Sequence, residues 1–125
     1  MAALREIMTT DVFKTTRQSS VAETAKAMVK GRFGSALVMQ GDALLGIFTE
    51  RDVLRAAASG EDLTSSSLSK WMTSDPTTAE PDTDSEDAAQ LMLSSGFRHL
   101  PVTEGAGVVG IVSLRDVLSA RIRKR

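Results

Sequence analysis

Apolar and polar positions along the chain follow two spacings that together predict an order of helices and strands. Apolar residues three and four positions apart, such as Val21, Ala25 and Met28 after the capping box Ser20-Val-Ala-Glu23, predict an amphipathic helix. Short continuous apolar runs that end in glycine or polar residues predict strands. In the first half of the chain these patterns predict a helical lead-in at 4–8, strand 11–14, a helix stopped by Gly31, strand 35–39, a turn at 40–42, strand 43–48 and helix 50–59.

The second half of the chain repeats this order. The predicted elements there are a lead-in at 68–72, strand 76–79, helix 84–95, strand 100–103, a turn at 105–107, strand 108–112 and helix 113–123. Shifted by 64 residues, the stretch Gly46 to Leu54 (GIFTERDVL) matches Gly110 to Leu118 (GIVSLRDVL). Between Leu4 and Ala56, 16 of 53 positions are identical to their counterparts 64 residues later, without a gap. A fixed period indicates two copies of one structural unit.

Each copy is therefore predicted to be a β-α-β-β-α unit, which places the chain in the α+β class. A single three-stranded sheet cannot cover both of its own faces. We therefore predict tandem β-α-β-β-α repeats that pack sheet to sheet about a pseudo-twofold axis, with a crevice for a small ligand between them. The predicted boundaries are 1–60 for the first copy, 61–67 for a polar linker and 68–125 for the second copy, and together they form one compact module.

Composition narrows the functions that such repeats could serve. The chain has 125 residues, of which 25% are charged and 42% are apolar, as in an ordinary soluble domain. With no cysteine and a single histidine it offers no recognisable metal site, and no nucleophile paired with a base stands out, so an enzyme is not predicted. Because no apolar run is long enough for a signal peptide or a membrane span, we expect a cytoplasmic protein without a membrane partner.

Charge is nearly balanced overall but uneven at the end of the chain. The formal net charge of −1 gives no reason to expect nucleic acid or an anionic membrane as a partner. The last five residues, Arg121 to Arg125, nevertheless include four bases. A basic helix end normally complements the helix dipole in solvent. We therefore do not predict a nucleic-acid partner, and binding through this tail remains the alternative.

The repeated stretch places a hydroxyl and a carboxylate at the start of the last helix of each copy. These residues are Thr49 and Asp52 in the first copy and Ser113 and Asp116 in the second. Hydroxyl, carboxylate and free backbone N–H groups would meet at one strand-to-helix corner, an arrangement that can bind a polar ligand. The same spacing is that of a capping box, so a purely structural role is the alternative for both pairs.

With these motifs the sequence resembles a CBS domain pair, also called a Bateman module. The resemblance covers the whole chain and rests on Met8-Thr9 and Met72-Thr73, on Arg98-His-Leu-Pro-Val102, and on Gly-Ile-x-[Thr/Ser]-x-Arg-Asp-Val-Leu in both copies. It implies a regulatory module that binds an adenosine-containing ligand, such as AMP, ADP, ATP, NAD or S-adenosylmethionine, in the cleft between the copies. No obligatory cofactor is implied.

The resemblance also implies two ligand sites, in which the repeated aspartate accepts from the ribose diol and the preceding hydroxyl contacts phosphate or ribose. The first site comprises Ile47, Thr49, Asp52, Thr73, Thr77, Thr78, Arg98, His99 and Arg115. The second, weaker site comprises Thr9, Phe13, Lys14, Gly34, Ser35, Arg51, Ile111, Ser113 and Asp116. The first site ranks higher because it has Arg98 and His99 where similar modules often place basic residues that face phosphates.

The residue types at these corners have the hydrogen-bonding groups and charges that a ribose diol and a phosphate require. A carboxylate can accept from both hydroxyls of a cis-diol, and each such bond is worth about 1.5–3 kcal/mol before desolvation is subtracted. Because the carboxylate repels a phosphate at the same helix end, Arg51, Arg98 or Arg115 would have to lie nearby. The alternatives are a packing role for His99 and a surface role for the arginines. Trp71 is predicted to be a packing anchor beside the linker, with a stacking role as its alternative.

The predicted function is a module that senses an adenosine-containing ligand and passes its occupancy to an unidentified partner protein. Modules of this kind usually pair through exposed helices, and apolar positions on the last helix of each copy suit a homodimer. These positions are Val53, Leu54, Ala57, Val117, Leu118 and Ile122. The alternative is an interaction scaffold that binds no ligand, although the retained Asp52 and Asp116 argue against it.

Overall fold

A computed structural model describes residues 2–123, and in that range it has six helices and two sheets, which confirms the α+β class. In chain order the elements are α1 (Leu4–Ile7), β1 (Lys14–Thr15), α2 (Val21–Gly31), β2 (Ser35–Gln40), β3 (Ala43–Thr49), α3 (Glu50–Ala58), α4 (Leu68–Trp71), β4 (Thr73–Ser74), α5 (Ser85–Ser95), β5 (His99–Glu104), β6 (Gly107–Ser113) and α6 (Leu114–Arg123). The basic tail predicted from Arg121 to Arg125 ends in two residues, Lys124 and Arg125, that lie outside the described range.

The chain forms two compact units, and neither coincides with one copy of the sequence repeat. Unit 2 runs from Val12 to Pro76, whereas unit 1 combines the N-terminal segment up to Asp11 with the chain from Thr77 onward. Each copy therefore gives its lead-in to the unit built from the other copy. Leu4 of the first lead-in is buried in the core of unit 1, and Leu68 of the second lead-in is buried in the core of unit 2.

Unit 2 contains a four-stranded sheet with the order β1-β2-β3-β4. Strands β2 and β3 form the predicted antiparallel hairpin, and β1 lies parallel to β2. Strand β4, which directly follows the exchanged lead-in, pairs antiparallel with β3 through Ile47 and Thr73. Strand β1 begins at Lys14, later than the strand predicted at 11–14, because residues 11 and 12 mark the passage of the chain from one unit to the other.

Unit 1 is organised in the same way around the hairpin of β5 and β6. Single bridges extend this hairpin on both sides, from Thr9 to Ile111 and from Ala79 to Val102. The strand predicted at 76–79 is wrong, because only Ala79 makes a bridge there. Pro76 lacks a backbone N–H group, and the turn that follows Ala79 contains Pro81, so a longer ladder cannot form at this edge.

Two glycines explain why a Met-Thr lead-in lies beside each hairpin. A Cβ atom on Gly46 would lie 2.8 Å from Met72 Sδ and 2.8 Å from the Thr73 carbonyl oxygen. A Cβ atom on Gly110 would lie 2.8 Å from Met8 Sδ and 2.9 Å from the carbonyl oxygen of Thr9. These distances are shorter than real Cβ contacts, so the close approach of lead-in and hairpin requires glycine in both units.

The helices in the body of each unit begin and end with recognisable caps. Ser20 Oγ accepts from the Glu23 N–H group at 3.1 Å, which confirms the predicted start of α2. Gly31, predicted as the stop, is instead the last residue of α2, and Arg32 adopts the left-handed conformation with φ 60°. At the matched position in unit 1, Gly96 takes that conformation with φ 81°.

Each unit has its own apolar core. In unit 2 the buried core residues are Val21, Met28, Ala36, Val38, Phe48, Ala56 and Leu68, and the partly buried Trp71 packs against them. In unit 1 they are Leu4, Ala88, Ala89, Met92, Leu100, Val102, Val112 and Val117. The polar segment predicted as a linker, residues 61–67, is part of unit 2, and the N–H group of Val21 donates to the Ser66 carbonyl oxygen at 2.9 Å.

No helix within residues 2–123 has both the length and the apolar character that crossing a bilayer requires.

Candidate ligand sites

The strand-to-helix corner formed by Thr49 and Asp52, here called the Asp52 corner, lies where β3 runs directly into α3. Asp52 Oδ2 accepts from the Thr49 N–H group at 2.9 Å and from the Thr49 hydroxyl at 3.3 Å. Asp52 is only 5% exposed, which is unusual for an acidic residue. The predicted capping role is therefore confirmed, and the negative charge is also favourable at the first turn of the helix.

The second oxygen of this carboxylate pairs with a residue that the sequence analysis did not single out. Arg55 Nη1 donates to Asp52 Oδ1 at 3.0 Å. The Arg55 guanidinium also lies over Trp71, with Cζ 5.6 Å from the ring centroid. An arginine three residues after an aspartate on a helix can form such a pair, which is the signal that could have identified Arg55.

The equivalent corner of Ser113 and Asp116, called the Asp116 corner, lies where β6 runs into α6. The Ser113 N–H group donates to Asp116 Oδ2 at 2.9 Å, and the Asp116 N–H group donates to Ser113 Oγ at 3.0 Å. These reciprocal bonds confirm a capping box here as well. Asp116 is half-buried, whereas Asp52 is buried, and position 119, which corresponds to Arg55, is a serine.

In unit 2, the predicted site residues around the Asp52 corner include members of all four strands of its sheet. Ser35 pairs with Thr49 between β2 and β3, and the Glu50 N–H group donates to the Gly34 carbonyl oxygen at 3.2 Å. The rest of the predicted site residues in unit 2 are Phe13, which stacks on Phe33, Lys14 in β1, Ile47 paired with Thr73, and the exposed Arg51.

In unit 1, the Asp116 corner has basic residues along the neighbouring strand. His99 pairs with Ser113 between β5 and β6, and the Leu114 N–H group donates to the Arg98 carbonyl oxygen at 2.9 Å. Arg98 is exposed and His99 is half-buried. The other predicted site residues in this unit are Thr9, paired with Ile111, and the exposed Thr77, Thr78 and Arg115.

Both predicted ligand sites draw residues from both units. Of the first site, Ile47, Thr49, Asp52 and Thr73 belong to unit 2, while Thr77, Thr78, Arg98, His99 and Arg115 belong to unit 1. Of the second site, Phe13, Lys14, Gly34, Ser35 and Arg51 belong to unit 2, while Thr9, Ile111, Ser113 and Asp116 belong to unit 1. The assignment of each set to one ligand stays a prediction.

A shallow groove of about 400 Å³ lies on the helical side of unit 2. Its lining is mostly apolar and consists of Ala25, Met28, Val29, Arg32, Phe33, Gly34, Glu50 and Val53. Gly34 is the predicted site residue among them. As for metals, residues 2–123 bring together no group of three or more His, Cys, Asp or Glu side chains that could hold an ion.

Comparison with known proteins gives a direct answer about the family. A profile of the CBS domain matches the chain twice, over residues 4–59 and 67–123. The chain belongs to the CBS-domain family. An uncharacterized 17.7 kDa protein of Acidianus ambivalens is 40% identical over 117 residues, which cover 92% of this chain and 70% of the relative. CBS domains are generally regulatory modules and not enzymes.

Solved structures of CBS-domain proteins share the fold over nearly the entire chain. The CBS-domain containing protein ATU1752 from Agrobacterium tumefaciens is 28% identical, with a TM-score of 0.89 over 96% of this chain and 99% of that one. The CBS domain pair of protein MJ0100, solved in complex with 5′-methylthioadenosine and S-adenosyl-L-methionine, is 23% identical, with a TM-score of 0.91 over 100% of this chain and 99% of that one. The tandem fold predicted from the repeats and the resemblance to a CBS domain pair are thus both confirmed.

Proposed function

We propose that this CBS-domain protein is a regulatory module that binds an adenosine-containing ligand and alters its association with a partner protein when the ligand is bound. The observation that supports the proposal is the pair of matched corners, Asp52 and Asp116, in each of which a carboxylate and a hydroxyl stand at the start of a helix. Both corners lie within matched CBS domains.

The chemistry of these corners suits a ribose that carries phosphate or a neutral substituent. A carboxylate oxygen can accept more than one hydrogen bond, so Asp116 can cap its helix and accept from a diol at the same time. A phosphate would be favoured by the helix N-terminus and by the exposed Arg51, Arg98 or Arg115. The ligand class we propose is therefore AMP, ADP, ATP, NAD or S-adenosylmethionine.

The ligands of MJ0100 supply probes for this proposal. That protein was solved with 5′-methylthioadenosine and S-adenosyl-L-methionine, and at 23% identity its likeness to this chain concerns the fold. We include both compounds in the ligand class to be tested. A cytoplasmic location completes the proposal, because a chain without cysteine suits a reducing compartment.

Thermal unfolding in the presence of single compounds tests the function directly. The panel is AMP, ADP, ATP, NAD, S-adenosylmethionine and 5′-methylthioadenosine. A compound at one hundred times its Kd stabilises the folded chain by about 2.7 kcal/mol, which raises Tm by several degrees. Inosine monophosphate, which has the same ribose and phosphate but another base, serves as the matched control for recognition of adenine.

Two substitutions connect any shift to the proposed corners. Asp52→Asn and Asp116→Asn keep a side chain that can cap the helix but remove the charge that a ribose diol would use. Together they should abolish the ligand-induced rise in Tm. If no compound raises the Tm of the unmodified chain, or if the double variant keeps the full rise, the ligand-binding proposal is wrong.

A second candidate function, a homodimeric scaffold, is favoured by matched apolar side chains that are exposed in both units. Val29 and Leu93 are 80% and 68% exposed, and Leu54 and Leu118 are 71% and 46% exposed. Ile122 is 69% exposed, whereas Val117, predicted on the same surface, is buried in the core of unit 1, onto which its side of α6 packs. Repeated exposure of large apolar residues is typical of an interaction surface.

Sedimentation velocity distinguishes this candidate. A homodimer should dissociate when Leu54→Glu and Leu118→Glu place charges on the apolar surface. Gln40→Glu adds the same charge at the exposed end of β2, a strand that carries none of these apolar residues, and should leave the dimer intact. A monomer at all concentrations in the unmodified chain would contradict the homodimer. A dimer that gains no thermal stability from any compound would favour the scaffold over the sensor.

A further inference from the structure

Arg55 already bonds the carboxylate that the proposed function assigns to a ribose. Its Nη1 donates to Asp52 Oδ1 at 3.0 Å, and Asp52 Oδ2 accepts from the Thr49 N–H group at 2.9 Å. The Asp52 side chain is 8% exposed and that of Arg55 is 57% exposed. Both oxygens of this buried carboxylate therefore have protein partners, and the partner of Oδ1 is a side chain that solvent can reach.

The matched corner in unit 1 has no arginine at this position. A shift of 64 residues brings Ser119 to the place of Arg55, although Asp52 and Asp116 themselves are identical. Asp116 Oδ2 accepts from the Ser113 N–H group at 2.9 Å, as in the other corner, but Asp116 is only half-buried. The two corners thus share a cap and differ in the charge that stands three residues after the aspartate.

We infer that Arg55 is a specificity-determining residue that competes with ribose hydroxyls for Asp52. Arg55 Nη1 occupies one of the two acceptor directions of Asp52 Oδ1 with a charge-assisted bond, so a diol finds a single direction left there unless the guanidinium moves away. At Asp116 the corresponding side chain is an uncharged serine. The inference rests on the proposed function, and it means that the Asp116 corner binds an adenosine-containing ligand in preference to the Asp52 corner, the reverse of the order predicted from the sequence.

The fluorescence of Trp71 reports on the Asp52–Arg55 pair in the absence of a ligand. The Arg55 guanidinium carbon lies 5.6 Å from the centroid of the Trp71 ring, close enough for a cation–π contact. Trp71 is held in place by its Nε1–H group, which donates to Ser66 Oγ at 3.1 Å, and Lys70 Nζ lies 5.7 Å from the same ring. Because the chain has a single tryptophan, its fluorescence reports on this site alone.

The first measurement compares Trp71 emission in the ligand-free protein. If Asp52 holds Arg55 over the ring, Asp52→Asn and Arg55→Ser should shift the wavelength of Trp71 emission in the same direction. Lys70 stays beside the ring in both variants, so its effect on the emission remains. Asp116→Asn should leave the emission unchanged. An Asp52→Asn spectrum identical to that of the unmodified chain overturns the inference, because Asp52 would then not hold the guanidinium.

The second measurement determines Kd by calorimetry for one corner at a time. The probes are AMP, S-adenosylmethionine and 5′-methylthioadenosine, of which the last is uncharged and separates the effect on the diol from any effect on phosphate. With Asp116→Asn in the background, adding Arg55→Ser should tighten binding by about fivefold. With Asp52→Asn in the background, adding Ser119→Arg should weaken binding by a similar factor.

A matched control and two contrary outcomes complete the design. Arg17→Ser removes one exposed positive charge from unit 2 and should not change Kd. If the probes bind but Arg55→Ser leaves Kd for 5′-methylthioadenosine unchanged, the inference fails and the proposed function stands. If no probe binds the unmodified chain or any variant, the proposed function fails and the inference fails with it.

Discussion

The Asp52 and Asp116 corners show how two copies of one motif acquire different properties. In both, the backbone N–H group of a hydroxyl residue donates to the aspartate Oδ2 at 2.9 Å. Only in the first copy does an arginine, Arg55, cover Oδ1. The repeat therefore preserves the bond that starts the helix, while Arg55, outside the shared motif, gives the Asp52 carboxylate a second partner.

The two hairpins show the opposite case, because the distances from a Cβ atom built on Gly46 and on Gly110 to the matched lead-in atoms agree to within 0.1 Å. Gly46 and Gly110 each lie against the methionine and threonine of an exchanged lead-in. Positions that hold the lead-in in place tolerate little variation, since no side chain fits there. Positions of α3 and α6 away from these contacts can vary, as the exposed Arg55 and the half-buried Ser119 show.

The largest loss of stability is expected from substitutions at Gly46 and Gly110. Gly46→Ala and Gly110→Ala each place a methyl group less than 3.0 Å from a backbone carbonyl oxygen, that of Thr73 or of Thr9. Each substitution should lower the free energy of unfolding by about 1–3 kcal/mol, because the lead-in must shift. Urea denaturation followed by circular dichroism measures the loss.

Gly107 provides the control for this prediction. It also lies in a hairpin strand, but a Cβ atom there would have only the Glu104 carbonyl oxygen within 4 Å, at 3.9 Å. Gly107→Ala should therefore change the free energy of unfolding by less than about 0.5 kcal/mol. Equal losses at Gly107 and Gly46 would show that strand glycines matter for another reason than the contact with the lead-in.

A smaller effect is expected at the corners, where the two units differ. Asp52→Ala removes the acceptor of the Thr49 N–H group and the partner of Arg55, and should lower the free energy of unfolding by about 2 kcal/mol. Asp116→Ala removes the capping bond alone and should cost about 1 kcal/mol.

The contribution of Arg55 to this difference can be isolated by a double-mutant cycle. In the Arg55→Ala background the cost of Asp52→Ala should fall to that of Asp116→Ala, because the capping bond is then the shared loss. The same background should leave the cost of Asp116→Ala unchanged. An Asp52→Ala cost that does not depend on Arg55 would mean that the ion pair is fully screened by solvent.

Much of the fold could be predicted because local signals and the repeat agree. The hairpin strands and the cap at Ser20 follow from patterns within a few residues of each other, while the tandem fold follows from the 64-residue repeat and the family from the resemblance of its motifs to CBS domains. The exchange of the lead-ins could not be predicted. Met8-Thr9 and Met72-Thr73 are identical, as are Gly46 and Gly110, so either pairing satisfies the sequence equally well.

The spacing of the residues predicts the two corners, but it does not predict the hydrogen-bond partners of each carboxylate. A hydroxyl residue followed three positions later by an aspartate specifies the cap, which both copies form. The role of Arg55 depends on where its long side chain lies, and an arginine on an exposed helix face normally reads as a surface charge. The structure shows instead that Arg55 pairs with Asp52, and the serine at position 119 shows that the second copy lacks this arginine.

The smallest effect is expected at the ends of α2 and α5, where the units use different residues for the same backbone conformation. Arg32 is left-handed with φ 60° and ψ 40°, whereas the matched residue is Gly96 with φ 81°. This conformation destabilises a residue with a Cβ atom by about 1–2 kcal/mol. Glycine avoids that strain, but its greater freedom in the unfolded chain offsets part of the stabilisation. Arg32→Gly should therefore raise the free energy of unfolding by about 0.5–1 kcal/mol in urea denaturation.

Two further variants assign this gain to the backbone. Arg32→Ala removes the same guanidinium but keeps a Cβ atom, so it should not stabilise the chain. The reciprocal change Gly96→Arg imposes on unit 1 the strain that unit 2 already bears, and should lower the free energy of unfolding by about 1 kcal/mol. If Arg32→Ala stabilises as much as Arg32→Gly, the cost at this helix end lies in the side-chain charge, and the two units differ in electrostatics instead of backbone strain.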